Sequence, residues 1–292
     1  MALACAATAA LVAPAVAAPA QAHTSTQAQA PAADPVSALR KQFVSGHGVR
    51  FVSTGKLSLA GVTAIKYTSN GGYAFGRSGV VASDSTQKSK YSELLKDEDE
   101  DLKDAEKPLR MIVIGSTAYF SGGVYTSLLP EGKTWLRLPG VRPNASASPL
   151  NPLDWHNLKA VLATTKAKGP GGRVNGAKTT LYRGTITLGQ LMKANPGVKD
   201  SLAAIGSNPA KNVVSWKLWI GPDQLVRRAS ASVDLKMKSE GETFTFNLST
   251  DSTYAGWGRK VTVKAPPKSK VAKLSDLDGD VPETSGTVIL PD

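Results

Sequence analysis

Apolar and polar residues alternate most regularly over 211–238, KNVVSWKLWIGPDQLVRRASASVDLKMK. Trp216, Leu218 and Ile220 interleave with Ser215, Lys217 and Trp219. Further on, Leu225, Ala229, Ala231, Val233, Leu235 and Met237 interleave with Val226, Arg228, Ser230, Ser232, Asp234 and Lys236. A period of two sends alternate side chains to opposite faces of a strand. Gly221-Pro222-Asp223 supplies turn chemistry between the arms, so the stretch predicts a hairpin with one apolar face. Arg227 is the exception on that face.

Strand-like alternation also predicts strands over 49–59, 62–67, 73–82, 111–114, 118–120, 132–139, 179–187 and 242–251, with a last one around Val261 and Val263. Ala60-Gly61 and Ser69-Asn70-Gly71-Gly72 read as the turns between the first three. A helix is predicted behind Asp34, with Pro35 in its first position, Val36, Leu39 and Phe43 buried, and Gly46 at its end. A stronger one is predicted behind Asn151, with Pro152 first and Asp154 third. Its stripe is Leu158, Val161, Leu162 and Thr165, extended by Leu153 and Trp155, and Gly169-Pro170 stops it. Thr187 and Gln190 make a capping box for a short helix, and 202–205 suit another. Between 84 and 110 the pattern breaks around Asp97-Glu98-Asp99-Glu100-Asp101, a solvated loop or exposed helix.

About ten strands and three amphipathic helices give an α+β layer structure, a strongly curved antiparallel sheet with helices across its concave side. Such a sheet encloses space, filled either by side chains or by an apolar ligand, and the pattern leaves both open. The candidate lining residues are Leu153, Leu158, Val161 and Leu162 from the helix and Trp216, Leu218, Ile220, Phe244 and Phe246 from the sheet.

Composition changes this picture at the N-terminus. The chain has 292 residues, 41% of them hydrophobic and 20% charged, which is the composition of a folded protein. Its first 22 residues carry no charge and end Ala20-Gln21-Ala22, the pattern of a secretory signal peptide over 1–22. The basic segment that opens such a peptide is missing. A polar spacer over 23–33, one domain over 34–267 and a loosely held tail over 268–292 complete the expected organisation. Cys5 is the one cysteine and would leave with the leader; as a lipid acceptor it has a poor approach, because Ala2 stands where a large apolar residue is usual. The net charge of +12 favours anionic partners such as a membrane or cell-wall surface. Nucleic acid is disfavoured, since the positive residues are scattered rather than interleaved with aromatics.

Candidate chemistry is sparse. The histidines are His23, His47 and His156, and no HExxH, GxSxG or P-loop pattern occurs. With no cysteine past the leader, thiol catalysis and thiolate metal sites drop out, so we expect no enzyme activity, cofactor or metal. Gly169-Pro170-Gly171-Gly172-Arg173 is followed by no helix N-terminus and reads as a flexible connector. Asp276-Leu277-Asp278-Gly279-Asp280 lacks the spacing of a calcium loop.

Several segments, in order, resemble the actinobacterial lipoproteins of the LppX/LprG type, relatives in fold of the LolA-like lipoprotein carriers. They are GKTWLRL at 132–138, Leu158-Lys159-Ala160, Val174-Asn175-Gly176 leading to TTLYRG at 179–184, WIGPDQLVRR at 219–228, YAGWG at 254–258 and VTVKAPP at 261–267. The resemblance implies a half β-barrel wrapped around helices, with a hydrophobic cavity that holds the acyl chains of lipids or glycolipids in the cell envelope. The chain departs from that family in having only Cys5 as an anchor, in the acidic segment 84–110, and in Gly221 where the turn commonly has an acidic residue. A second function open at this stage is an envelope interaction module of the kind that contacts an anti-sigma factor, docking a protein through the acidic run or the basic surface.

Overall fold

The structure is a computed structural model that describes residues 34–98, 102–143, 148, 150–194, 209–239 and 242–277. The expected leader and spacer, Cys5, the helix at 202–205 and the tail beyond 277 lie outside the described residues. Among the described residues twelve strands form one sheet: β1 (His47–Leu59), β2 (Val62–Gly76), β3 (Gly79–Tyr91), β4 (Leu109–Ile114), β5 (Thr117–Gly122), β6 (Trp135–Pro139), β7 (Thr165–Val174), β8 (Ala177–Thr187), β9 (Val213–Ile220), β10 (Val226–Ser239), β11 (Glu242–Lys260) and β12 (Val271–Lys273). Their order is β12-β6-β5-β4-β3-β2-β1-β11-β10-β9-β8-β7. All neighbours are antiparallel except β12 and β6. The chain thus lays down two meanders, β1 to β6 and β7 to β11, and zips them together where β1 runs against β11 from His47↔Lys260 to Leu59↔Phe246. The sheet is curved and unclosed, with β12 and β7 at its two edges.

Between β6 and β7 the chain must travel from one meander to the far edge of the other, and this crossing carries α4 (Trp155–Ala163). Two more helices join it on the same face, α1 (Pro35–Lys41) and α5 (Leu188–Ala194). Their starts follow from side-chain caps. Asp34 Oδ1 accepts from the amides of Val36 and Ser37. Thr187 and Gln190 exchange the reciprocal bonds of a capping box, Gln190 N to Thr187 Oγ1 at 3.2 Å and Thr187 N to Gln190 Oε1 at 2.9 Å.

The structure corrects five local expectations. The cap of α4 is Asp154, whose Oδ1 accepts from His156 and Asn157, whereas Asn151 closes a preceding turn by accepting from Leu153 N. The helix therefore begins at Trp155, not Pro152. Gly169-Pro170-Gly171-Gly172 is no connector but part of β7; a proline is tolerated there because β7 is an edge with one unpaired side. Asn70-Gly71-Gly72 does not turn the chain but lies inside β2, where a Cβ on Gly71 would stand 2.7 Å from Ser85 Cα and overlap the Asp84 carbonyl oxygen. The acidic stretch is shorter than expected, since β3 continues through Ser85-Thr86-Gln87 to Tyr91 before two short helices, α2 (Glu93–Glu98) and α3 (Leu102–Ala105). Val261 and Val263 follow the end of β11 without forming a strand, and the sheet instead runs on past 267 through β12, where Ala272 is fully buried.

Register assigns each strand an inner face, towards the helices, and an outer one. Inner residues of β1, β2 and β8–β11 pack with Leu39 of α1, Leu158 and Val161 of α4 and Leu188 and Leu191 of α5 in one apolar cluster. A second, smaller cluster joins Val113, Ala118, Phe120, Leu136 and Leu138 of β4–β6 with Tyr125. Between them the inner face is a seam of small residues: Ser53 and Gly55 on β1, Ser69 and Gly71 on β2, Ser83 and Ser85 on β3, Thr250 and Ser252 on β11. Its hydroxyls satisfy one another and the crossing segment, with Ser53 Oγ 2.8 Å from Ser252 Oγ and Thr250 Oγ1 donating to Ser148 Oγ at 2.8 Å.

One contact locks α4 to the sheet. The Trp216 indole lies against Gly184, and its Nε1 donates to Thr164 Oγ1 at 3.1 Å just past the end of α4. A Cβ on Gly184 would sit 2.6 Å from the ring and overlap the Thr164 carbonyl oxygen. We predict that Gly184→Ala lowers unfolding free energy by about 2 kcal/mol, read as a lower urea midpoint at unchanged slope; an unchanged midpoint would show that this contact does not seat the helix.

Candidate functional site

The candidate lining residues fall into two groups. Leu153, Leu158, Val161, Trp216, Leu218 and Ile220 are all buried to 2% exposure or less within one packed cluster, and Leu162 packs against it half-buried. These side chains fill the layer between α4 and the sheet. Phe244 and Phe246 lie elsewhere, at the start of β11, on the same inner face but toward the opposite end of the sheet from α1.

That end forms a second kind of surface. Phe246 pairs with Leu59 on one side and Leu235 on the other, Leu248 pairs with Leu57, and Leu59 pairs with Val62 at the β1–β2 turn. Directly opposed residues share a face, so these apolar side chains form a strip on the inner face. Its exposure rises outward, from Leu235 at 3% through half-buried Leu248 and Phe246 to Leu59 and Phe244 at 36% and Val62 at 67%. The strip continues the core without a break. Leu59 and Val62 are absent from the candidates expected from sequence, although the short Ala60-Gly61 turn already fixes them as partners at a hairpin tip.

The other end of the sheet is polar. Trp257 stacks on Phe75 with ring centroids 6.0 Å apart, and its Nε1 donates to the Val226 carbonyl at 3.1 Å. Arg227 is explained here. A register shift between Val226 and Arg228 turns it off the apolar face, and its guanidinium pairs with Asp223 in the β9–β10 turn. Beside this pair a concavity of about 530 Å3 is lined by Lys41, Gln42, Leu225, Trp257 and Arg259. No acid–base constellation emerges from the described histidines. His156 Nδ1 lies 3.4 Å from Asp154 Oδ1 at the exposed start of α4, where that oxygen already caps the helix, and His47 Nδ1 is buried without a hydrogen-bond partner. Among the described residues no group of three or more His, Cys, Asp or Glu could hold a metal ion, and no helix is long and apolar enough to cross a membrane. In the acidic segment Glu93 and Glu106 both approach Lys96, and Glu106 Oε1 accepts from Tyr91 N, so Glu106 ties the segment to the sheet.

No family model matches the chain, and no curated protein matches it. Among solved structures, a DUF1329 family protein from Desulfovibrio piger overlaps 80% of this chain and 96% of its own at 13% identity and a TM-score of 0.25. A LolA superfamily protein from Nitrosomonas europaea overlaps 78% of this chain and 93% of its own at 5% identity and a TM-score of 0.24. Lipovitellin overlaps 76% of this chain but 26% of its own, at 10% identity and a TM-score of 0.24. At these scores the overlaps carry no assignment, which rests on the chain itself.

The inner face also sequesters tyrosines. Burial pushes the Tyr67 phenol up to about 12 and holds those of Tyr73 and Tyr254 well above the usual range; Tyr125, in the smaller cluster, is likewise pushed up to about 12. An unfolded phenol ionises near 10. The folded state therefore keeps protons that the unfolded state gives up above that pH, and stability is lost as pH rises from about 10 through about 12. We predict that phenolate absorbance at pH 11 is incomplete until denaturant is added; full ionisation without unfolding would show these rings to be accessible.

Proposed function

We propose that the chain is an exported, non-enzymatic carrier or sensor that holds the acyl part of a lipid or glycolipid inside a half-barrel of the LppX/LprG kind. The observation that carries this reading is the apolar strip Leu235, Leu248, Phe246, Leu59, Phe244 and Val62, which leads from the packed core to solvent on the inner face. Each methylene taken fully from water gains about 0.8 kcal/mol, and because the strip is open to solvent a chain reaches it without opening the α4 layer. The expected lining residues divide accordingly. Phe244 and Phe246 contact the chain, while the α4 and β9 residues form the floor on which the site is built. The uncharged stretch 1–22 supports export, and the net charge of +12 supports association with an anionic envelope surface.

Native mass spectrometry of protein purified from its own cells is expected to show copurified acyl species. The double variant Leu59→Ser/Phe244→Ser should bind a fluorescent fatty acid at least about tenfold more weakly, at about 1.4 kcal/mol per decade, with its unfolding midpoint little changed because both side chains are partly exposed. Absence of any acyl species, or equal affinity in the variant, would overturn the reading.

A further inference from the structure

The outer face of β7–β10, turned away from the helices, carries a groove of about 400 Å3. Its walls are Lys166, Arg183 and Lys217, and its floor holds the hydroxyls of Thr185, Ser215, Ser230 and Ser232, with Gly184 and Trp216 beneath. Register explains the concavity. Arg183 lies opposite Lys217 and Lys217 opposite Ser230 on one rung; Thr185 lies opposite Ser215 and Ser215 opposite Ser232 on the next. Long cationic side chains therefore stand beside a row of small hydroxyl residues.

Two features point to a ligand. Arg183 and Lys217 are like charges in directly opposed positions, as are Lys56 and Lys66 between β1 and β2, but here the pair shares a concavity with a third cation, Lys166, over a floor of hydroxyls. Among the described residues no carboxylate lines the groove to neutralise them. The acidic residues on the adjoining outer face are already engaged: both oxygens of Asp251 are held by Arg228 at 2.7 to 3.0 Å, the Arg228 guanidinium lies 4.6 Å from the Trp219 ring, and Asp234 accepts from Asn247 Nδ2 at 2.7 Å.

We infer that this groove binds a phosphate-type oxyanion. The planar Arg183 fork and two ammonium groups match a tetrahedral group with several charged oxygens, and the hydroxyl floor supplies neutral donors to the same oxygens. A carboxylate, with two oxygens and one charge, leaves part of this donor set unused. The phosphate comes either from the solution or from a lipid headgroup. The groove lies on the face opposite the acyl strip and does not depend on it.

The test compares Arg183→Ser/Lys217→Ser with Lys56→Ser/Lys66→Ser, which removes the same charge from another opposed pair on the same outer face. At low ionic strength, where exposed charges are least screened, titration with inorganic phosphate should show binding to the wild type and to the second variant, and about tenfold or more weaker binding to the first. Without phosphate the first variant should be at least as stable as the wild type, because a repulsive pair is gone. Vesicles of phosphatidylglycerol set against vesicles of phosphatidylcholine separate the sources. Loss of phosphatidylglycerol binding in the first variant alone assigns a lipid headgroup, and unchanged vesicle binding alongside lost phosphate binding assigns the free ion. Equal effects of the two variants on both ligands, or no phosphate binding by the wild type, would overturn the inference.

Discussion

The helical cover of this sheet is shorter than the strands it covers. At about 1.5 Å per residue the nine residues of α4 span about 14 Å, and α1 and α5, at seven residues each, span less. At about 3.3 Å per residue the thirteen residues of β1 span about 43 Å, and the nineteen of β11 more. Among the described residues, the three short helices on this face can bury it over only part of its extent. Where they lie, the inner residues close into a packed core; where they do not, the same alternation runs on into solvent as the strip ending at Phe244 and Val62.

This mismatch organises the rest. The single crossing from β6 to β7 has to carry the cover across the seam between the two clusters, and small hydroxyl and glycine residues let it pass close to the strands: Ser148 reaches Thr250, and the Tyr67 ring lies over Gly55. At the end nearer α1 the cover is anchored by aromatic contacts, Phe43 edge-on to Phe75 with centroids 5.6 Å apart and Phe75 stacked on Trp257. Beyond α4, Trp216 and Thr164 fix the helix end to β9. The far end has no comparable anchor among the described residues, and there the apolar surface stays open.

Much of the fold was legible where one face of a strand is apolar and the other polar. The hairpin at 211–238 appears as β9 and β10 with the expected faces except at the start of β10, where the register shift buries Val226 and turns Arg227 away; Trp216, Leu218 and Ile220 are buried while Ser215 and Lys217 face water. What escaped was structure built from residues that usually break it. Gly71 and Gly72 sit within β2 because the β2–β3 approach has no room for a Cβ on Gly71, and Gly169-Pro170 sits in β7 because an edge strand can spare an amide. Neither reason is local, so neither shows in spacing. The candidate site was half legible: Phe244 and Phe246 stood out as an alternating aromatic pair, but their partners Leu59 and Val62 come from a hairpin about 180 residues away and meet them only through the β1–β11 zipper.

In the proposed function an acyl chain lies along the uncovered strip rather than in the packed layer. Photo-crosslinking with a diazirine fatty acid, mapped by peptide mass spectrometry, tests this most directly. The account predicts labelling at Leu59, Val62, Phe244 and Phe246, competed by unlabelled fatty acid. Labelling concentrated on Leu158, Val161 and Trp216 would contradict it, since those side chains can meet a ligand only if α4 leaves the sheet.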